Sequence, residues 1–409
     1  MKSIAEINEK IKKREAIVMT AREVSQIARE GGRLTLNDVD VVTTATRALM
    51  SGTFAVLSIP VSERRVFKRA KKVWLNGIPA FPGPCPNERL GIIDVIVYGT
   101  SHSETNPRYG GGHLFRDIVR GEKIEVCLES DEKIIEKREV GIEEMFARMI
   151  TTRSAFRNYM GFVNTSDDAV KTIFNVIPME GPYKHFTFTG CGEINPIEND
   201  PTLRTIRVGT KILVNEAIGY VMGTGTRSTP EKPNLSVFAE MYKMNPEYMG
   251  GFLTSEGPEV INSIAVPIPV IDEEILRDVM VTDEQVELPV AEIHDRIPFH
   301  TGNYGEVWKD VAIRFIPDLC LKCDECDVER LCPTGAYRSY IFDEGECFNC
   351  GLCVSICRGK AFKGDLGKIK IGDRVIPVFL RFSDRLRAEK LSQRLKEMIE
   401  EGDFFLSNV

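Results

Sequence analysis

Cysteine is the residue with the most chemistry to offer in this sequence, and its distribution is uneven. Eight of the eleven cysteines fall between Cys320 and Cys357. Their spacings are Cys320-x2-Cys323-x2-Cys326-x5-Cys332-Pro333, then Cys347-x2-Cys350-x2-Cys353-x3-Cys357. A cubane iron–sulfur cluster needs four thiolates, of which a C-x2-C-x2-C loop supplies three; in two-cluster ferredoxins the distant fourth cysteine ligates the other cluster. This pattern assigns Cys320, Cys323, Cys326 and Cys357 to one 4Fe–4S cluster, and Cys347, Cys350, Cys353 and Cys332 to a second. Two departures are visible, the five-residue spacer before Cys332 and Arg358 in place of a proline after Cys357, and neither removes a ligand. The zinc alternative pairs C-x2–4-C knuckles across longer spacers and has no use for triplets. Two clusters pass electrons singly and together hold the pair that a two-electron reduction needs.

The other three cysteines differ in setting. Cys127, in "KIEVCLES", shares a strand face with Glu125 and Glu129, opposite Ile124, Val126 and Leu128, which suits packing. Cys85, in "FPGPCPNERLG", sits between prolines that fix the loop. Cys191, in "TGCGEINP", sits between glycines that permit close backbone approach. A thiol turns nucleophilic beside positive charge or N–H donors, so Cys85 and Cys191 are candidate sulfur carriers, with inert loop cysteines as the alternative. Glu193 is a candidate proton carrier by its proximity to Cys191. His113 and His102 offer acid–base chemistry, or simply structural hydrogen bonds. The glycine-rich stretches "YGGGH" (109–113) and "GTGTRSTP" (223–230), the latter with Arg227, could cradle an anion on backbone N–H groups or be plain turns. Neither is a Walker A or Rossmann fingerprint.

Regular elements must hold these residues. Ser3 with Glu6 and Thr20 with Glu23 match the capping box, predicting two N-terminal helices, the second stopped at Gly31-Gly32. "DVDVVTTATRALMSGTFAVLSIPV" reads as strand, Thr/Ser/Gly loop and strand, and "YGGGHLFRDIVRGEKIEVCLES" as loop, helix and strand. Residues 142–160 read as a helix. "IPVFLRFSDRLRAEKLSQRLKEMIEEGDFFL" gives a strand, an N-cap at Ser383 or Asp384, and a helix striped by Leu391, Leu395, Met398 and Ile399 that stops at Gly402. That stripe needs a partner larger than the cysteine segment. The expected architecture is a mixed α/β (α+β) main domain at 1–311, an inserted bacterial-ferredoxin-like module with two 4Fe–4S clusters at 312–366, and a strand and helix at 367–409 that return to the main domain.

Composition excludes several classes of function. A chain of 409 residues with 43% hydrophobic and 28% charged residues has the make-up of a globular protein. A net charge of −7 leaves no basic footprint for nucleic acid. No apolar run approaches the roughly 18–20 residues of a membrane span. The charged N-terminus lacks the apolar core of a signal peptide. Locally clustered cysteines fit a reducing compartment, so a cytoplasmic location is expected.

Several stretches together resemble a known family. "DVVTTAT", "VWLNGIPAF", "YGGGHLFRDIVRG", "GEINPIENDP", "RVGTKILVNEAIGYVMGTGT" and the closing "IPVFLRFSDRLRAEKLSQRLKEMIEEGDFFL" are similar to the homocysteine-biosynthesis family, the aspartate semialdehyde sulfurtransferases, over most of residues 15–310 and 370–406. The built-in ferredoxin module resembles the methanogenesis marker protein 16 subgroup. The resemblance implies a sulfurtransferase that makes a thiol from a small anionic aldehyde, a sulfide or persulfide donor and two electrons from an external donor. For the subgroup it implies sulfoacetaldehyde as substrate and coenzyme M (2-mercaptoethanesulfonate) as product. Alternatives are aspartate semialdehyde to homocysteine, or a non-catalytic iron–sulfur electron-transfer protein serving a partner enzyme. Oligomeric state stays open, a homo-oligomer included. In the homocysteine enzymes a cysteine follows the methionine of the "VVTT" loop, whereas here that position is Ser51, which cannot carry a persulfide. Either Cys85 or Cys191 substitutes, or sulfide reacts directly. Thr44 and Ser51 of that loop are expected at the substrate. Arg47, Arg207, Arg227 and Arg385 lie in or beside matching motifs and are candidates to grip its anionic end.

Overall fold

The computed structural model describes residues 1–156 and 159–408. Its strands form a large sheet of fourteen and a second sheet of six, with helices packed around them, a mixed α/β fold. In the large sheet the strands Val41–Leu49 and Gly257–Pro269 run antiparallel over their full shared length, from Val41 opposite Pro269 to Leu49 opposite Ile261. Both are almost wholly buried, as β-branched runs of this kind should be when covered on two faces. Thr53–Pro60 instead alternates buried and half-buried residues along its length. The turn between Val41–Leu49 and Thr53–Pro60 holds Met50, Ser51 and Gly52.

The capping boxes at Ser3/Glu6 and Thr20/Glu23 both form, opening the helices Ile4–Lys13 and Ala21–Arg29. Residues 142–160 correct the helix expected there. Ile142–Glu144 is one turn of 3-10 helix and Phe146–Ser154 is a strand between Thr53–Pro60 and Leu235–Glu240. Arg157 and Asn158 of that stretch lie outside the described residues. The strand buries Ala147, Met149 and Thr151 in alternation, a two-residue period that pairing on both edges makes decisive.

The six-stranded sheet runs Pro298–Asn303, Glu287–Glu292, Gly161–Val163, Phe186–Phe188, Arg374–Arg381, Lys368–Ile371. Its parallel pairing of Phe186–Phe188 with Arg374–Arg381 joins the middle of the chain to its end. Arg314–Phe315 pairs with Phe362–Lys363, so the chain leaves for the cysteine segment and returns at one place. The helix Arg385–Glu400, capped by Asp384, then crosses Val41–Leu49 and Gly257–Pro269 with Leu391, Leu395 and Ile399 fully buried. Among the described residues no helix is long and apolar enough to cross a membrane.

Leu395 has no exposed surface in this core. Leu395→Ala is expected to lower the unfolding free energy by about 2–5 kcal/mol through lost burial and a residual cavity, read from anaerobic denaturant titration.

Candidate active site

The cysteines sit on loops and short helices that turn them toward two cavities. Cys320, Cys323 and Cys326 precede the helix Asp327–Leu331, Cys332 follows it, and Cys353 lies within Leu352–Ile356 with Cys357 just beyond. One cavity is lined by Cys320, Cys323, Cys326 and Cys357. The other is lined by Cys332, Cys347, Cys350 and Cys353. Each therefore combines a triplet with the distant cysteine of the other run, and the thiols surround a space, with no group of three or more converging on a single ion position among the described residues. Burial and the neighbouring sulfurs push the Cys347 thiol up to about 12 and raise those of Cys350 and Cys353 as well. Such thiols part with their protons when a metal group binds.

The donor set fits a 4Fe–4S group at each cavity, and a buried cation supports the second. Arg381 has no exposed surface, its Nη2 has no partner, and burial lowers its pKa to about 10. It donates from Nε to the Asn349 carbonyl at 3.2 Å and from Nη1 to the Asp310 carbonyl at 2.5 Å. An unpaired buried charge is strongly unfavourable, and an anionic cluster in the second cavity would balance it.

That cavity shares a wall with the large sheet. Phe348, between Cys347 and Cys350, meets Phe252 edge-on with centroids 5.1 Å apart and lies 5.6 Å beneath the Arg47 guanidinium. Arg387 donates to the carbonyls of Cys347, Glu344 and Gly345. Glu346 pairs with Arg116 and Arg120, and Leu253 donates to the Pro333 carbonyl at 2.9 Å.

Phe252 leads to Ser51. It is the register partner of Glu259, and cross-strand partners share a face. Glu259 is 6% exposed and lies beside the Ser51 side chain, which favours its ionised form, while its Oε2 has no partner. Burial raises its pKa, with Ser51 and Arg153 opposing. The neighbouring strand end and loop complete the corner: Thr152 donates to the Gly52 carbonyl at 3.0 Å, and Thr226 donates to the Thr152 carbonyl at 2.8 Å. The Arg153, Arg296, Glu259 and Arg227 charges thus all bear on Tyr159 in the region of Ser51. Sequence reasoning missed Glu259, although a lone carboxylate in the run "GPEVINSIAVPIP" was a usable signal.

Other candidates lie elsewhere. Cys191 is fully buried; burial pushes its thiol up to about 11, and its contacts are Thr46 Oγ1 at 3.6 Å and the Arg47 carbonyl at 3.8 Å. Its loop is tightly seated, since a Cβ on Gly192, at φ +61°, would lie 2.1 Å from Asp283 Oδ1. Cys85 is half-buried, and burial together with Asp94 raises its pKa. Arg385 acts on the Cys191 thiol but is outweighed by its burial, and Cys85 faces the Asp94 carboxylate, so neither thiol is activated toward a thiolate.

Glu193 is the hub of a buried charge network. It accepts from Arg22 Nη1 at 2.9 Å, Arg385 Nη2 at 2.8 Å, Ser25 Oγ at 2.8 Å and Arg29, while Arg385 also binds Asp283 Oδ2 at 2.6 Å. Burial pushes its carboxyl up, but Arg29, Arg385 and Ser25 more than offset it and hold it at about 2. A carboxylate held so firmly organises structure rather than carrying protons. Arg47 and Arg385 are likewise consumed by Asp384 and by Glu193 with Asp283. Thr44 donates to the Val266 carbonyl at 2.8 Å, and exposed Arg207 donates to the Arg204 carbonyl. His113 accepts from the Gly110 N–H at 3.2 Å, and His102, exposed, bridges to Gly110.

The family model described as homocysteine biosynthesis enzyme, sulfur-incorporation, matches residues 16–406. The chain belongs to that family. An uncharacterized protein of Methanothermobacter thermautotrophicus is 45% identical over 98% of this chain and 94% of its own length. The L-aspartate semialdehyde sulfurtransferase of Methanocaldococcus jannaschii is 30% identical over 83% of this chain and 68% of its own, and that of Methanosarcina acetivorans 29% over 75% and 62%. No solved structure matches. The matched span runs across the cysteine segment.

His113 supplies a pH test. Burial, with Arg116 and Arg108, lowers its pKa to about 4 from the ordinary 6.5. Between those values the unfolded chain binds a proton that the folded chain refuses, so this contribution to stability is full above pH 6.5 and is lost as pH falls toward 4. Denaturant titrations across that window should show a shallower decline for His113→Gln than for the native chain.

Proposed function

We propose that the protein is a reductive sulfurtransferase that turns a small anionic aldehyde into a thiol at the Ser51 corner, fed by two 4Fe–4S clusters. The observation that carries this reading is the shared wall: Phe348 of the cysteine loop packs on Phe252, the partner of Glu259, which lies beside Ser51. The named relatives favour aspartate semialdehyde, giving homocysteine, over sulfoacetaldehyde, giving coenzyme M.

The chemistry balances as follows. Hydrogen sulfide adds across the aldehyde carbonyl to form a thiohemiacetal, which loses water to a thiocarbonyl; two electrons and two protons then give the thiol. The clusters, when bound, supply those electrons singly. The chain's own residues do the rest. Arg153 and Arg227 grip the anionic end. Glu259, kept protonated more readily than an ordinary carboxylate, gives its proton to the departing hydroxyl and takes back the one that leaves the S–H as the carbon–sulfur double bond forms. Ser51 orients that carboxyl. With Cys85 and Cys191 both lacking activation, sulfur arrives as an external sulfide equivalent.

Anaerobically reconstituted protein with sulfide and a low-potential reductant should form thiol from aspartate semialdehyde faster than from sulfoacetaldehyde. Thiol from neither aldehyde, with both clusters in place, would sink the reading, and preference for sulfoacetaldehyde would reverse the choice of substrate. Glu259→Gln should lower kcat by about 10²–10⁴-fold, whereas Cys85→Ser and Cys191→Ser should retain turnover.

A further inference from the structure

Arg381 stands apart from the other buried cations of this chain. Arg47 pairs with Asp384, Arg385 with Glu193 and Asp283, and Arg387 with Asp384. Arg381 has no exposed surface and no carboxylate at ion-pair distance among the described residues, Asp384 and Asp310 acting on it only from farther off. Its backbone N–H donates to the Cys350 carbonyl at 2.9 Å and its side chain to the Asn349 carbonyl, so its strand is stitched to the loop that carries Cys347 and Cys350. On the far side its guanidinium lies 4.6 Å from the centroid of Trp308, whose indole donates to the Gly190 carbonyl at 3.1 Å. The stacked ring prevents retreat, and Nη2 is left without a partner.

We propose that Arg381 is a positioning residue for charge at the second cluster, balancing it electrostatically and raising its reduction potential. The inference rests on the cluster reading of the proposed function. Reduction adds one negative charge to a cluster, and in a low-dielectric interior a fixed cation nearby favours the more negative state. Arg47 and Arg387 add positive charge on the same side, with Asp384 the opposing carboxylate between them. The first cavity is built differently. There the Tyr337 hydroxyl lies 3.4 Å from Cys320 Sγ, and the charges at its rim, Asp327 and Arg358, are paired at 3.1 Å. The cavity whose Phe348 packs on Phe252 of the large sheet is thus the one given a buried counter-charge, so electrons held at the first cluster gain a reason to move to the second.

The test is anaerobic redox titration of reconstituted protein followed by electron paramagnetic resonance, which needs no turnover. Tyr337→Phe removes a hydrogen bond to Cys320 and should lower one of the two potentials, marking the first cluster. Arg381→Met should lower the other and leave the marked one in place, and Arg381→Lys should shift it less. Two intact clusters with unmoved potentials in Arg381→Met, or movement of the step that Tyr337→Phe marks, overturns the proposal. If Arg381→Met keeps native circular dichroism but half of the iron, the charge requirement is read from assembly: Arg381→Lys must restore the full iron content, and failure to do so overturns it. If Arg381→Met does not fold, Arg381→Lys decides alone, any shift being confined to the unmarked step. Absence of iron from the native chain would instead overturn the cluster reading itself.

Discussion

Asp384 is the residue on which the rest of the structure closes. Fully buried, it accepts from Asn349 Nδ2 at 3.1 Å through one oxygen and meets Arg47 Nε at 3.2 Å and Arg387 Nη1 at 3.1 Å through the other. Its backbone N–H donates to the Arg47 carbonyl, and its side chain caps the helix Arg385–Glu400. One carboxylate therefore ties together the strand Val41–Leu49, the second cysteine loop and the closing helix. A buried charge so placed is stable only when every partner is present, so the three parts are coupled: moving the cysteine loop would strip Asn349 from Asp384 and the loop carbonyls from Arg387.

This coupling accounts for the relation between the cysteine segment and the main body. A loosely tethered electron carrier would need a mobile surface, whereas here Phe348, Asn349 and Glu346 are each held by a different element of the large sheet or its helices. The second cavity consequently lies against Phe252 and, through it, Glu259 and Ser51. The contrast between the carboxylates is equally physical. Glu193 is surrounded by guanidiniums and held at about 2, which suits architecture, while Glu259 is buried with one oxygen free and its pKa raised, which suits proton transfer.

What could be read from the residues alone followed the range of the interactions. Helix caps at Ser3, Thr20 and Asp384 and the grouping of the cysteines are set within a few residues, and the spacing carried that information. The strand Phe146–Ser154 was misread as a helix because its short run of alternation is outweighed locally; its two flanking strands, distant in sequence, decide the matter. Glu259 beside Ser51 and Arg381 beside Cys350 are products of pairing between remote segments; the lone carboxylate in its apolar run hints at the first, but neither partner can be read locally. The arginines show the same limit. Their motifs singled out Arg47, Arg207, Arg227 and Arg385 alike, but only packing separates the two locked in ion pairs, Arg47 and Arg385, from Arg227 at the Ser51 corner.

The central claim is that electrons held by the cysteine segment reduce a carbon–sulfur centre at the Ser51 corner. Its most direct test is a single-turnover experiment: reduce the reconstituted protein, remove the reductant, add aldehyde and sulfide, and follow cluster reoxidation and thiol in the same freeze-quenched samples. The account predicts that one thiol appears for every two electrons the clusters lose. Thiol formation with the clusters still reduced, or reoxidation without thiol, would contradict it.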